Sequence, residues 1–169
     1  TPVNVRVGDI DGDGKPDIVA TQLLASQMSV FLNTTTTATV QFAAAVGVST
    51  DVVPWGVDLG DLDGDGKLDA VVASLTGAGA VDPKSITLLN NTSTPGTVSF
   101  VPKLIRTTAF ANRHVVIGDI DGDAKPDITY TSVDDIGRGI FASKVSFYRN
   151  KSCITPVIDP AGPLTICTS

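Results

Sequence analysis

The chain has 169 residues, of which 42% are hydrophobic, and its mean hydropathy of +0.22 indicates enough apolar material for a sizeable buried core. All 18 acidic residues are aspartate and the formal net charge is −6, which argues against a nucleic acid as partner. No apolar stretch approaches the roughly 20 residues of a membrane-spanning helix, so we expect no membrane span.

The first part of the chain predicts short strands around one acidic loop. Residues 8–17 read GDIDGDGKPD and lie between two stretches rich in β-branched residues, VNVRV (3–7) and DIVATQL (17–23). A third such stretch, MSVFLN (28–33), is followed by a threonine-rich turn and by VQFAAAV (40–46). This alternation of strand-like and turn-like segments predicts four short antiparallel strands.

The same succession recurs twice further along the chain. The acidic runs return as GDLDGDGKLD (60–69) and GDIDGDAKPD (118–127), at periods of 52 and 58 residues. Strand-like segments again follow them, namely SITLLNN (85–91), VSFVPKL (98–104) and KVSFYRN (144–150). Periods of this length with several strands each are typical of propellers. Residues 1–152 therefore predict an all-β fold of three tandem β-propeller-type blades, each with about four antiparallel strands.

The C-terminal segment 153–169, CITPVIDPAGPLTICTS, breaks the repeat and predicts a proline-rich linker with one terminal strand. Its two cysteines, Cys153 and Cys167, suit either a disulfide or two buried thiols, and the sequence leaves both open. The chain starts at Thr1 with no Met and no basic-then-apolar leader, so we expect a processed or excised piece of a longer protein.

We call the three acidic runs loop 1 (8–17), loop 2 (60–69) and loop 3 (118–127). Counted from the first aspartate, each has aspartates at positions 1, 3, 5 and 9 and glycine at position 4, and two of the three also have glycine at position 6. Glycine permits the tight coil in which alternate side chains converge. A hard cation with six to eight oxygen ligands suits such a set, and the carbonyl of position 7 is a further ligand.

The predicted ligands are Asp9, Asp11, Asp13, Asp17 and the Lys15 carbonyl in loop 1; Asp61, Asp63, Asp65, Asp69 and the Lys67 carbonyl in loop 2; and Asp119, Asp121, Asp123, Asp127 and the Lys125 carbonyl in loop 3. Zinc prefers His or Cys, which the loops lack, and magnesium tends to keep its waters. Three calcium ions are therefore predicted. They would offset the formal charge of −6.

Two other interpretations of the loops are weaker. Asp and Gly are common in turns, but three copies in one register between matching strands are not expected from turn composition alone. An EF-hand needs a glutamate at its twelfth position and flanking helices, whereas the twelfth residues here are Ala20, Val72 and Tyr130 within predicted strands.

The units resemble FG-GAP repeats, also called VCBS repeats, the calcium-loop blades of integrin α-chain-like propellers and of many bacterial surface proteins. The resemblance covers about residues 1–150 and rests on all four carboxylate positions in each loop and on the LLNN strand end (88–91). It implies an extracellular or cell-surface, calcium-binding structural or adhesive module. The Phe-Gly and Gly-Ala-Pro motifs are not cleanly present, so integrin-like ligand binding is not implied.

Other functions were weighed against this one. A carbohydrate-binding propeller and an accessory domain of a secreted enzyme are the alternatives, and a glycan or a surface protein is a possible class of partner. We expect no enzyme activity, since His114 is the single histidine and no nucleophile-elbow motif occurs. Asparagines that follow the third strand of each unit match the glycosylation pattern, although an asparagine that closes a turn explains their recurrence without any sugar and is the preferred interpretation. They are Asn33, Asn90, Asn91 and Asn150.

Two further expectations concern strain and assembly. Ala124 replaces glycine at position 6 of loop 3, so positive φ there should make the third site the weakest. If the segments 40–46 and 98–104 supply strands to the unit that follows each of them, the first unit lacks its fourth strand and exposes an edge at 3–7. Residues 163–169 (PLTICTS) are then a candidate donor strand for a neighbouring copy, and the chain either self-assembles, for example into a filament, or joins further blades.

Overall fold

The computed structural model describes residues 1–75, 84–108, 111–135, 141–151 and 165–167. These residues form strands and turns, and no helix among them is long and apolar enough to cross a membrane. The strands are β1 Pro2–Gly8, β2 Asp17–Gln22, β3 Gln27–Phe31, β4 Val46–Ser49, β5 Pro54–Gly60, β6 Asp69–Ser74, β7 Lys84–Asn91, β8 Phe100–Thr108, β9 Ala111–Gly118, β10 Asp127–Asp135, β11 Phe141–Lys151 and β12 Thr165–Cys167.

The strands form three four-stranded sheets in chain order, which confirms the predicted all-β, blade-like architecture. Blade 1 is β1-β2-β3-β4, blade 2 is β5-β6-β7-β8, and blade 3 is β9-β10-β11-β12. Each aspartate loop joins the first two strands of its blade. The loop ends pair in the same register every time, with Gly8 opposite Asp17, Gly60 opposite Asp69 and Gly118 opposite Asp127.

The fourth strands correct one prediction. β4 pairs with β3 and β8 pairs with β7, so each closes the unit it follows and not the next one. The reason is local: a tight turn, bridged between Thr36 and Thr39 in blade 1 and between Thr94 and Thr97 in blade 2, folds each strand back on its predecessor. Blade 1 is therefore complete, and β1 is an edge strand as β5 and β9 are in their blades. β4 also begins later than predicted, because residues 40–45 pair with the rest of the blade only at the isolated bridge Asn33–Phe42.

The terminal strand was predicted, but its partner was not. β12 pairs with Arg149–Lys151 of β11 in the same chain, and it does so in parallel. The prediction of a donor strand for a neighbouring copy is wrong for this arrangement, because the strand pairs within its own chain. Thirteen residues, 152–164, separate β11 from β12, and a connection of that length permits the parallel pairing that a tight turn forbids. Cys153 lies outside the described residues, so the disulfide stays a prediction.

The blades pack face to face through two apolar clusters. Strand β6 is buried along its whole length and alternates between them, because successive residues of a strand point to opposite faces. Ala70 and Val72 face blade 1, whereas Val71 and Ala73 face blade 3. The first cluster comprises Ile10, Val19, Met28, Val30, Leu32, Val57, Ala70, Val72 and Leu89. The second comprises Leu62, Val71, Ala73, Ile86, Leu88, Val115, Ile128, Tyr130 and Tyr148.

Polar contacts join the first strands of the blades. Asp58 of β5 accepts a hydrogen bond from Arg6 Nε of blade 1 at 2.6 Å and another from the Ile117 backbone N–H of blade 3 at 2.7 Å. Arg113 of blade 3 lies over the Trp55 ring of blade 2, 5.5 Å from its centroid. The three first strands lie side by side, and blade 2 is the central layer.

A glycine marks where blades 2 and 3 approach most closely. A Cβ placed on Gly56 would lie 2.4 Å from the Arg113 backbone oxygen, which no side-chain rearrangement relieves. Gly118 is a matched control, because a Cβ there meets nothing within 4 Å.

We expect Gly56→Ala to lower the free energy of unfolding by about 1–3 kcal/mol through overpacking of this interface. At a chain concentration too low for association, Gly118→Ala should leave it within about 0.5 kcal/mol of the parent. Urea unfolding of the two variants beside the parent measures the difference. Equal stability of all three proteins would contradict the close packing of blades 2 and 3.

Candidate metal centres

The backbone of each loop coils as its glycines predict. Position 4 has φ of 78° at Gly12, 80° at Gly64 and 78° at Gly122. Position 6 also has positive φ: 84° at Gly14, 86° at Gly66 and 64° at Ala124. The predicted left-handed conformation of Ala124 is confirmed, and an L-residue held there costs on the order of 1 kcal/mol.

The aspartate at position 1 organises this coil. In loop 1, Asp9 Oδ1 accepts the N–H of Gly12 and Oδ2 accepts the N–H of Gly14, both at 2.9 Å. The same pair of bonds recurs from Gly64 and Gly66 to Asp61, at 2.7 and 2.9 Å, and from Gly122 and Ala124 to Asp119, at 2.7 and 2.9 Å. Both carboxylate oxygens are thereby turned into the coil, where a cation would lie.

The aspartate at position 9 ties the loop to the third strand of its blade. In loop 2, Asp69 Oδ2 accepts the N–H of Leu62 at 3.0 Å and Oδ1 accepts the N–H of Asn91 at 2.8 Å. The equivalent donors are Ile10 and Asn33 for Asp17, at 2.8 and 2.7 Å, and Ile120 and Asn150 for Asp127, at 3.0 and 2.8 Å. All three carboxylates are 1% exposed, so position 9 is a structural anchor whether or not it also binds a metal.

The environment of Asp69 shows that loop 2 is short of positive charge. Burial raises the pKa of Asp69, and the nearby Asp63 and Asp65 carboxylates raise it further, while the bonds from the Asn91 and Leu62 N–H groups lower it. The hydrogen bonds therefore do not fully offset the burial and the repulsion. A divalent cation among these carboxylates would favour the ionised form.

Three carboxylates in each loop approach closely enough to share one ion. Their oxygens lie within 4.8 Å of one another in the sets Asp9, Asp11, Asp13; Asp61, Asp63, Asp69; and Asp119, Asp121, Asp127. Atoms so spaced fit on one coordination sphere with a Ca–O distance of about 2.3–2.6 Å. Asp63 Oδ1 is buried without a hydrogen-bond partner among the described residues, as expected of an oxygen left for a ligand. The fourth aspartate of each loop and the carbonyls of Lys15, Lys67 and Lys125 stay predicted ligands.

Each cluster also has a basic side chain beside it. Lys15 pairs with Asp13 at 2.8 Å, which lowers the pKa of Asp13 and raises the pKa of Lys15. Lys103 lies 3.4 Å from Asp63. In loop 3, Arg149 contacts Asp121 and lies 3.8 Å from Asp123, so it occupies the edge of the predicted third site. Calcium in loop 3 would compete with this arginine for the carboxylates. The backbone strain at Ala124 would further lower the calcium affinity of the loop.

Loops 1 and 2 also accept hydrogen bonds from the blade that follows each of them. The Asn91 side-chain Nδ2 of blade 2 donates to the Ile10 carbonyl of loop 1 at 2.8 Å, and the Asn150 Nδ2 of blade 3 donates to the Leu62 carbonyl of loop 2 at 2.8 Å. In addition, the Gly96 N–H of blade 2 donates to Asp11 Oδ2 at 2.7 Å. Sequence reasoning missed this role between blades, although the recurrence of asparagine after the third strand was its visible signal.

These contacts bear on the glycosylation candidates. Asn91 and Asn150 are 0% and 3% exposed and their Nδ2 atoms are buried donors, so a glycan on either nitrogen is incompatible with this packing. Asn33 Oδ1 and Asn91 Oδ1 accept the N–H groups of Thr35 and Ser93 at 2.9 Å, which confirms the turn-closing alternative for both. For Asn33 and Asn90, glycosylation stays a prediction.

Comparison with known proteins agrees with this geometry. The family model described as FG-GAP-like repeat matches residues 9–72, which run from the first aspartate of loop 1 through loop 2 into β6. A search of the curated proteins finds no match.

The positive φ at position 6 leads to paired substitutions of opposite sign. We expect Gly14→Ala to destabilise the chain by about 1 kcal/mol, because a Cβ is then forced into the left-handed region, and Ala124→Gly to relieve a similar strain in loop 3. Gly14→Ala introduces no steric clash beyond the backbone strain, since a Cβ at Gly14 meets nothing within 4 Å. Thermal unfolding in chelator measures both without metal. Shifts of the same sign for the two variants would contradict the loop geometry.

Proposed function

The chain carries an FG-GAP-like repeat at residues 9–72, and from that premise we propose that it is an extracellular calcium-binding module with a structural or adhesive role. The observation that carries the proposal is a cluster of three carboxylates in every loop. Positions 1 and 3 recur in all three clusters, and the third member is position 5 in loop 1 and position 9 in loops 2 and 3. Three carboxylates converge in each loop, at the same register between the first two strands of each blade. Because the clusters lie at equivalent places in the three blades, one structural ion in each loop explains them better than three unrelated turns do.

The donor chemistry supports calcium among the metals. Every predicted ligand is an oxygen, and the loops contain no histidine or cysteine, so soft and borderline metals are disfavoured. The chain's own residues do the remaining work. Position 1 holds the coil, position 9 ties it to the third strand, and the convergent carboxylates present the ligand oxygens.

An extracellular setting fits such sites. Calcium modules that work outside the cell bind at about 10⁻⁴ to 10⁻³ M, and the exposed, arginine-flanked carboxylates of loop 3 suit weak affinity of this kind. An adhesive role implies a surface protein or a glycan as partner. The proposal includes no catalysis, since three loops of near-identical sequence give no reason for a pair of carboxylates with opposed acid and base roles.

Calcium should then stabilise the fold strongly. A site that binds only the native state adds RT ln(1 + [L]/Kd), or roughly 1.4 kcal/mol at tenfold excess over Kd, so three sites add about 4 kcal/mol. We expect the melting temperature to fall by several degrees when millimolar calcium is replaced by excess EDTA. An unchanged melting temperature would overturn the structural role of calcium.

A neutral isostere in one loop localises the effect. Asp11→Asn should reduce the calcium-dependent part of the melting shift by about a third, because it weakens one site of three. Asp51→Asn is the matched control, since Asp51 lies in the turn before β5 and outside all three loops. Calcium titration by calorimetry should show one weakened site in Asp11→Asn and none in Asp51→Asn. Equal calcium responses of the two variants would contradict the assignment of loop 1.

A further inference from the structure

One position of the aspartate loops differs sharply between the blades. Position 2 is Ile10, Leu62 and Ile120, and these side chains are 1%, 4% and 56% exposed. Ile10 and Leu62 are buried because each points toward the blade that follows in the chain. We call this side of a blade its forward face. Among the described residues nothing covers the forward face of blade 3 at Ile120.

The third strands repeat the contrast. Val30, Leu88 and Phe147 are equivalent, since each is paired with the third residue of its second strand, Val19, Val71 or Thr129. Val30 and Leu88 are 0% and 3% exposed, whereas Phe147 is 48% exposed. Val145 and Val116 on the same face are 69% and 55% exposed. The forward face of blade 3 therefore carries exposed apolar side chains at Ile120, Phe147, Val145 and Val116, although Thr129 replaces the Val19 and Val71 of its counterparts.

The glycine at the start of each loop shows the same contrast between the blades. A Cβ on Gly8 would lie 2.6 Å from Leu68 of blade 2, and a Cβ on Gly60 would lie 2.7 Å from Ile117 of blade 3. At Gly118 a Cβ meets nothing within 4 Å. In blades 1 and 2 this glycine lets a side chain of the next blade approach closely. Blade 3 has the same glycine, but no described residue approaches it.

The rear face of blade 1, which points away from blade 2, supplies the matching surface. Val5 is equivalent to Val57 and Val115 by its pairing in the sheet, and these two are 0% and 1% exposed against 56% for Val5. Val7, equivalent to Ile117, is 63% exposed. In the chain's own interfaces these are the residues that cover the preceding blade.

Asn33 also lacks, among the described residues, one of the two hydrogen bonds that the equivalent Asn91 side chain donates. Asn91 Nδ2 donates both to its own loop, at the Leu68 carbonyl (2.9 Å), and to the preceding blade, at the Ile10 carbonyl (2.8 Å). Asn33 Nδ2 makes the first kind of bond, to the Pro16 carbonyl at 2.9 Å, and no preceding blade faces it among the described residues. The carbonyl of Ile120 is the acceptor that corresponds to Ile10 and Leu62.

We propose that a second copy of this chain docks head to tail, with the rear face of its blade 1 on the forward face of blade 3. Val7 of one copy then covers Gly118 of the other, and Asn33 donates to the Ile120 carbonyl. The occupant is argued from continuity with the two interfaces inside the chain, whose asparagine donor, loop carbonyl acceptor and glycine recur at the open ends together with most of the apolar positions. The Asp58 contacts do not recur, because Val116 stands at the position of Arg6 and Asp58.

Two such contacts close a ring of two copies. A pair holds six blades, within the typical range of four to eight for propellers, whereas three copies would hold nine. Closure at two copies satisfies both open faces and leaves no growing end. This inference goes beyond the proposed calcium role, and its test keeps calcium present throughout because Ile120 and its carbonyl belong to loop 3.

The oligomeric state of the 169-residue chain tests the proposal, with calcium present throughout. Sedimentation equilibrium should give twice the chain mass of 17.4 kDa. Gly118→Val should give the single-chain mass with an unchanged melting profile at low concentration, because its side chain enters open space in one copy but obstructs the second. Leu24→Asp, at an 81% exposed residue of the turn between β2 and β3, is the control and should keep the double mass.

Mixing two blocked variants tests the head-to-tail geometry itself. Phe147→Asp destroys only the forward face of blade 3 and Val5→Asp only the rear face of blade 1, so each alone should have the single-chain mass. A mixture should form a one-to-one pair through the one intact combination of faces. A single-chain mass for the parent, an open polymer, or no complementation in the mixture would each overturn the proposal.

Discussion

The structure depends on offsetting the mutual repulsion of four carboxylates within each aspartate loop. Backbone N–H groups do part of this, because position 1 accepts two of them from the coil and position 9 accepts two more from the loop and the third strand. These bonds set the geometry but add no net positive charge. The raised pKa of Asp69 shows that the repulsion and the burial outweigh them in loop 2. A bound divalent cation would supply the missing charge at the point where the oxygens already converge.

The loops matter beyond their own hairpins because they are also the joints between blades. The carbonyl at position 2 of loops 1 and 2 accepts a hydrogen bond from an asparagine side chain of the next blade. The side chain at the same position packs in the apolar layer between the two blades. Loop 1 is additionally held by the Gly96 N–H. The packing of the following blade therefore depends directly on the conformation of the loop. Loop 3 lacks such a partner among the described residues, and its aspartates at positions 1, 3 and 5 are exposed.

The sequence was informative where structure is local. The four-strand unit, the coil of each loop and the strained Ala124 all follow from patterns within a few residues, and they are confirmed. The strand that closes each blade was assigned to the wrong unit because pairing depends on the turn at Thr36–Thr39 and not on the strand residues themselves. The parallel β12 was missed because only the 13-residue connection allows it. The recurrence of asparagine after the third strand marked these positions, but their partners in the preceding blade were not predicted because the bonds join residues 81 and 88 positions apart.

The number of calcium ions bound per chain tests the central claim most directly. Equilibrium dialysis of the metal-free chain against increasing calcium should approach three ions per chain, with the last to bind lost on Asp119→Asn in loop 3. Binding of no calcium at millimolar concentration, or three ions still bound after that substitution, would contradict the assignment of one calcium ion to each aspartate loop.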